Sequence, residues 1–245
     1  LRTMCRVDSF GVPRLGNKER VAEIDARSLY VHYRNILRSS PIELFYVGST
    51  SGEKVAELLK AMLAGVERTY VPLKPQTPFC DDGGSNLEER MDAAQSVLCM
   101  GFRTDITSAN AEFAAMQVLN TVFGAGMTSK LFQQVREKRS LCYAIGSGYY
   151  GSKGIVTVSA GIDREKETEV REQVLVQLEC CCRGEITEQE LGAAKEALLS
   201  SLRGIHDSPS SIESYYATHY LSGAFRSPQQ YMEQIEAVTL QDVVA

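Results

Sequence analysis

The chain has 245 residues, 44% hydrophobic and 23% charged, with 26 Lys plus Arg against 31 Asp plus Glu and a formal net charge of −5. That composition belongs to a packed protein and excludes disorder as its main state. The acidic balance argues against a nucleic-acid partner, and no apolar run approaches the roughly 18 residues of a membrane span, so neither nucleic acid nor membrane is expected. The start at Leu1, with no Met and no apolar leader, reads as a processed or excised piece.

In chain order, Gly11, Pro13 and Gly16 break an otherwise helical opening. A short helix follows over 18–24, and Asp25 caps a second helix to about 37. Residues 42–47, β-branched and aromatic, predict a strand. Ser51 then caps a helix with Val55, Leu58, Leu59 and Met62 on one face. Residues 65–91 lack periodic apolar positions and carry Pro72, Pro75, Pro78 and Gly83-Gly84, which reads as a semi-extended linker.

After the linker the pattern predicts a strand over 95–102 and a helix from about 108 with Phe113, Met116, Leu119 and Val122 or Phe123 buried. A second helix is expected over 128–139, then two strands, 141–149 and 154–161, joined by Gly151-Ser152-Lys153-Gly154. A long helix carries Val170, Val174, Leu178, Cys181 and Cys182 inward. Thr187-Glu188-Gln189-Glu190 is a capping box opening a helix with Leu191, Ala194, Leu198, Leu202 and Ile205 on its apolar face. Ser208-Pro209 and Ser227-Pro228 each start a further helix. The segments 21–29 and 234–243 echo each other as helix, capping residue and new helix, which suggests two copies of one unit.

Chemistry-bearing residues are sparse. The seven cysteines, at 5, 80, 99, 142, 180, 181 and 182, form no C-x-x-C pair, and adjacent helical cysteines point about 100° apart. Reduced thiols in a cytoplasmic-type compartment are expected. His32, His206 and His219 lack a second histidine at metal-binding spacing, so no metal ligand and no resident cofactor are expected. There is no G-x-S-x-G, and Cys142 reads as a small buried hydrophobe. The segment Phe123-Gly124-Ala125-Gly126-Met127-Thr128-Ser129 lies between two helices, and Lys130 follows Ser129 in the wrong order for a phosphate loop. A tight helix-to-helix turn is predicted.

Asn120-x-x-Phe123-Gly124-x-Gly126-x-x-Ser129-Lys130-Leu131-Phe132, then Val135-Arg136-Glu137-Lys138-x-x-Leu141-x-Tyr143, resembles the insulinase (pitrilysin) metallopeptidase family, that of the mitochondrial processing peptidase. Lys153-Gly154 with Val158-Ser159-Ala160-Gly161, and Thr187-x-x-Glu190-Leu191 with Lys195, extend the resemblance. The family's H-x-x-E-H zinc motif is absent, and Gly101-Phe102-Arg103-Thr104-Asp105-Ile106 resembles the bacterial branch without it.

The expected fold is α+β, a mixed, mostly antiparallel sheet with helices on one face, preceded by the tail of a second similar unit. Residues 1–64 would be the C-terminal part of a first repeat, 65–91 the linker, and 92–245 an inactive-type repeat lacking its last strand. The resemblance implies the non-zinc half or subunit of a zinc metallopeptidase, inactive alone. It would enclose a peptide or protein substrate with a zinc-bearing homologous subunit or upstream domain, and any zinc would lie in that partner. It implies no catalytic residue in this chain alone. Arg136 and Tyr143 would face the chamber and donate to a substrate carbonyl or its oxyanion. The alternative is a pseudoenzyme of the same fold that binds peptides or acts as a scaffold.

Overall fold

The computed structural model describes residues 1–6, 8–72, 84 and 86–245. The chain forms two compact units, Leu1–Leu87 and Glu88–Ala245. Pro75, Pro78 and Gly83 of the expected linker lie outside the described residues.

In the first unit, helices α1 (Lys18–Ala22), α2 (Ala26–Ser39) and α3 (Gly52–Leu63) begin at the expected caps. Asp25 and Ser28 form a reciprocal capping box on α2, and the Ser51 side chain accepts from the Lys54 amide. Residues 42–47 are not a strand. A strand is defined by its ladder, and no other strand exists among the described residues of this unit to pair with it. The apolar face of α3 is only half covered: Val55 and Leu59 are half-buried, whereas Leu58 and Met62 are exposed. Cap and spacing set where a helix forms, but burial needs a packing partner.

The second unit holds the core. Strands β1 (Ser96–Arg103), β2 (Ala144–Tyr150) and β3 (Ile155–Ile162) make a sheet in the order β1-β3-β2, and every pairing is antiparallel. Leu98, Met100 and Phe102 of β1 register with Ala160, Val158 and Val156 of β3, which register in turn with Ile145, Ser147 and Tyr149 of β2. These residues share one face, as period-two alternation requires. The core packs on that face, while Val97 and Cys99 on the other remain exposed.

Helices α4 (Phe113–Phe123), α5 (Glu167–Cys182), α6 (Glu188–Arg203), α7 (Pro209–Leu221), α8 (Pro228–Ala237) and α9 (Leu240–Val244) complete the unit. Helix α4 starts at Phe113 rather than Ser108. The Asn110 carbonyl Oδ1 accepts from both the amide and the hydroxyl of Thr107, and the Ser108 amide donates to Gly151, so the segment is tied into turns instead. In α5, Val170, Val174 and Cys181 are fully buried but Cys182 is exposed. Counting 100° per residue from Val170, Cys181 lies about 20° round the helix and Cys182 about 120°, so Cys182 falls off the stripe. The capping box Thr187–Glu190 and the proline-led starts of α7 and α8 are as expected. In α9, Thr239 and Asp242 repeat the device used by Asp25 and Ser28.

Candidate functional site

The family-like block begins at the end of α4. The Asn120 carbonyl accepts from the amides of Gly124 and Ala125, which stops the helix. Its side-chain Oδ1 accepts from Ser147 Oγ at 2.8 Å, and the Ser147 amide donates to the Gly124 carbonyl at 3.0 Å. Helix end and strand β2 are thereby sewn together. A Cβ at Gly124 would sit 2.7 Å from Ser147 Cβ and 2.8 Å from Leu131 Cδ1, so this approach requires glycine. Gly126, with φ of 132°, makes the turn itself.

Ser129 is buried and donates to the Gly126 carbonyl at 2.7 Å. Lys130 is buried as well, and its ammonium reaches Glu190 Oε1 at 2.8 Å. The other oxygen of Glu190 accepts from the amide and hydroxyl of Thr187. Burial alone would raise the Glu190 pKa. The Lys130 bond and the Thr187 cap outweigh it and hold the carboxyl below its ordinary value. One side chain therefore both caps α6 and anchors it to the turn. The sequence offered each residue separately, but their pairing spans a separation that no local pattern encodes.

From Leu131 to Glu137 the chain is π-helical. The Lys138 amide bonds the Gln133 carbonyl, an i to i−5 contact. This shorter, wider segment replaces the α-helix expected over 128–139. Leu131 and Val135 face the core and Arg136 faces out. Ser140, at φ 53°, turns the chain toward β2.

Arg136 and Tyr143 come together there. Arg136 Nε donates to the Tyr143 carbonyl at 2.9 Å, its Nη1 to Glu137 at 2.8 Å, and its guanidinium lies 4.6 Å from the Phe132 ring centre. Tyr143 precedes the first residue of β2 and is 53% exposed. Its hydroxyl donates to Asp163 Oδ1 at 2.7 Å, and that hydrogen bond raises the Tyr143 pKa. Lys166 closes the ring, with Nζ 3.5 Å from Asp163 Oδ2 and 3.2 Å from the Ser140 carbonyl. Asp163 and Lys166 carry no sequence signal, because only the fold brings the end of β3 beside the entry to β2.

Other candidates have structural surroundings. Burial raises the Cys142 pKa against the opposing charges of Arg136 and Lys166, which keeps it a thiol. His219 packs tilted against Tyr215 at 4.2 Å and edge-on to Tyr231 at 5.7 Å between ring centres, and burial lowers its pKa. His206 lies in a 3-10 turn after α6, and His32 in α2. Among the described residues no group of three or more His, Cys, Asp or Glu could hold a metal ion, and no helix is long and apolar enough to cross a membrane.

Residues 23–198 match the family model described as the peptidase M16 inactive domain. The chain belongs to that family. It is 24% identical over 244 residues to a probable inactive metalloprotease of Bacillus subtilis (strain 168), covering 100% of this chain and 57% of the relative. It is 34% identical over 180 residues to an uncharacterized zinc protease of Mycobacterium bovis, covering 70% and 41%. Among solved structures, a conserved protein from Enterococcus faecalis V583 superposes with a TM-score of 0.84 at 25% identity, over 99% of this chain and 59% of that one. This chain thus spans about half the length of the curated relatives it matches. The insulinase-type resemblance and the α+β fold read from the sequence are borne out.

Proposed function

We propose that this M16 inactive-type domain is the non-zinc part of a peptidase assembly and helps a zinc-bearing homologous unit enclose a peptide. In this reading residues 92–245 are the inactive-type repeat, 65–91 the linker, and 1–64 the C-terminal part of another repeat. The exposed apolar residues Leu58 and Met62 of α3 are then covered by the rest of that repeat. The zinc-bearing unit is a partner subunit or another part of the same polypeptide, and its metal supplies the activated water.

The observation that carries the reading is the Arg136 Nε bond to the Tyr143 carbonyl, which joins the two family-matched residues in one exposed corner. A half-buried guanidinium and an exposed phenol do little for a core, but both offer directional polar atoms to a peptide backbone. The scaffold alternative draws on one specific observation: the Tyr143 proton is already given to Asp163 rather than left for a substrate.

The test is turnover of a quenched fluorescent peptide by this chain mixed with a zinc-bearing M16 homologue from the same genome. The chain alone is expected to show none, and the pair is expected to show chelator-sensitive turnover. Arg136→Ala, with folding checked by circular dichroism, should lower turnover by the pair roughly a hundredfold, as for the loss of a preorganised donor. Full turnover by that variant would leave the scaffold reading in possession.

A further inference from the structure

Nothing in the sequence singles out Asp163. It follows the last residue of β3, half exposed, and holds both the Tyr143 hydroxyl and the Lys166 ammonium, one on each carboxylate oxygen. A phenol has a single proton to donate. Here that proton is committed to a charged acceptor, the stronger class of hydrogen bond, and the raised Tyr143 pKa is consistent with a phenol that keeps its proton. What the oxygen then shows to solvent is lone pairs. Donation to a carboxylate also polarises a hydroxyl and makes its oxygen a better acceptor. A developing oxyanion at this position would meet a lone pair with a carboxylate behind it. An N–H group would be attracted by both.

We propose that Asp163 is a positioning residue that turns Tyr143 into a hydrogen-bond acceptor, so that the phenol oxygen recognises an N–H donor of a bound peptide rather than a carbonyl oxygen. The donor is a backbone amide or a protonated amine, and both share the chemistry. Arg136 donates from Nε and Nη1 to the Tyr143 carbonyl and Glu137, and the structure shows no bond from it to the phenol. Arg136 and Lys166 are each paired with a carboxylate, Glu137 and Asp163, and selectivity comes from the direction of the hydrogen bond. The inference rests on the peptide-site reading above.

The experiment uses the full chain and two measurements. Carbon-13 tyrosine NMR, with Tyr143 assigned by Tyr143→Phe, follows the ionisation of that phenol. Asp163→Ala should move its midpoint down toward the ordinary value of about 10. An unmoved midpoint means the bond does not exist in solution and overturns the proposal without touching the peptide-site reading. Fluorescence anisotropy then measures binding of three labelled decapeptides: a neutral one, the same with one lysine, and a backbone N-methylated version. Tyr143→Phe and Asp163→Ala should each weaken binding by about two- to tenfold, the range of one net hydrogen bond, and the double variant should be no weaker than Tyr143→Phe alone. Weakening for the neutral peptide that disappears on N-methylation assigns the donor to a backbone amide. Weakening confined to the lysine peptide assigns it to the amine. Binding that Asp163→Ala leaves unchanged or tightens overturns the acceptor role alone. Failure of the wild-type chain to bind any of the three overturns the peptide-site reading and the proposal with it.

Discussion

Lys130 immediately precedes one π-helical segment and Arg136 lies in its last turn, and the fold uses them in opposite ways. Lys130 is only 8% exposed and its ammonium ends on a carboxylate that is itself tied to a helix cap. Arg136 stands at the surface, with its guanidinium bonded to a neighbouring backbone carbonyl and an adjacent glutamate. A buried cation must be paired or it cannot stay charged, so Lys130 is bound to one partner by the cost of leaving it. A guanidinium that is only half-buried is under a weaker constraint. Two family-matched basic residues in one block thus divide into one buried against a single carboxylate and one held at the surface by a backbone carbonyl and a glutamate.

That division can be broken from the buried end first. Lys130→Met strands the Glu190 carboxylate beside a desolvated turn, and urea unfolding should show a loss of about 3–5 kcal/mol. The same variant should lose part of the acid dependence of stability. Glu190 is held below its ordinary pKa in the folded state, so its contribution is full above the unfolded value of about 4.3 and disappears as pH falls through the lower folded value. An equal acid limb in wild type and Lys130→Met would contradict the pairing. The next effect is steric. Gly124→Ala puts a methyl against Ser147 and Leu131, and overpacking of this kind should cost about 1–3 kcal/mol by the same measurement. The smallest effect belongs to the exposed end: Tyr143→Phe should leave the melting temperature within about 2 °C of wild type. A large drop there would erase the contrast and make Tyr143 a structural residue.

Much of the fold was legible because it is written locally. Asp25, Ser51, Thr187, Ser208 and Ser227 are each N-caps where the sequence places them, since a cap needs only a side-chain oxygen and the amides that follow. Strands β1 and β3 follow from their β-branched and apolar runs, whereas β2, with two glycines, begins at Ala144 rather than at 141. Residues 42–47 show the limit of the same reasoning, because a strand needs a partner and composition does not provide one. Cys182 shows another: an apolar spacing that is right for Cys181 is a third of a turn wrong for its neighbour. At the candidate site, Arg136 and Tyr143 were reachable through resemblance, whereas Asp163 and Lys166 were not. Their roles depend on antiparallel register, which brings the end of one strand beside the start of another, and the sequence carries no pattern for that juxtaposition.

Of the three consecutive thiols at the end of α5, Cys181 and Cys182 give the molecule a built-in gauge of local opening. Cys182 is exposed, while Cys181 is fully buried and desolvation pushes its pKa up to about 12. An alkylating reagent therefore meets one adjacent sulfur in the native state and the other only after the helix end has left the core. The ratio of the two labelling rates measures the free energy of that opening at a single point in the chain, with the reagent's intrinsic chemistry cancelling between identical side chains.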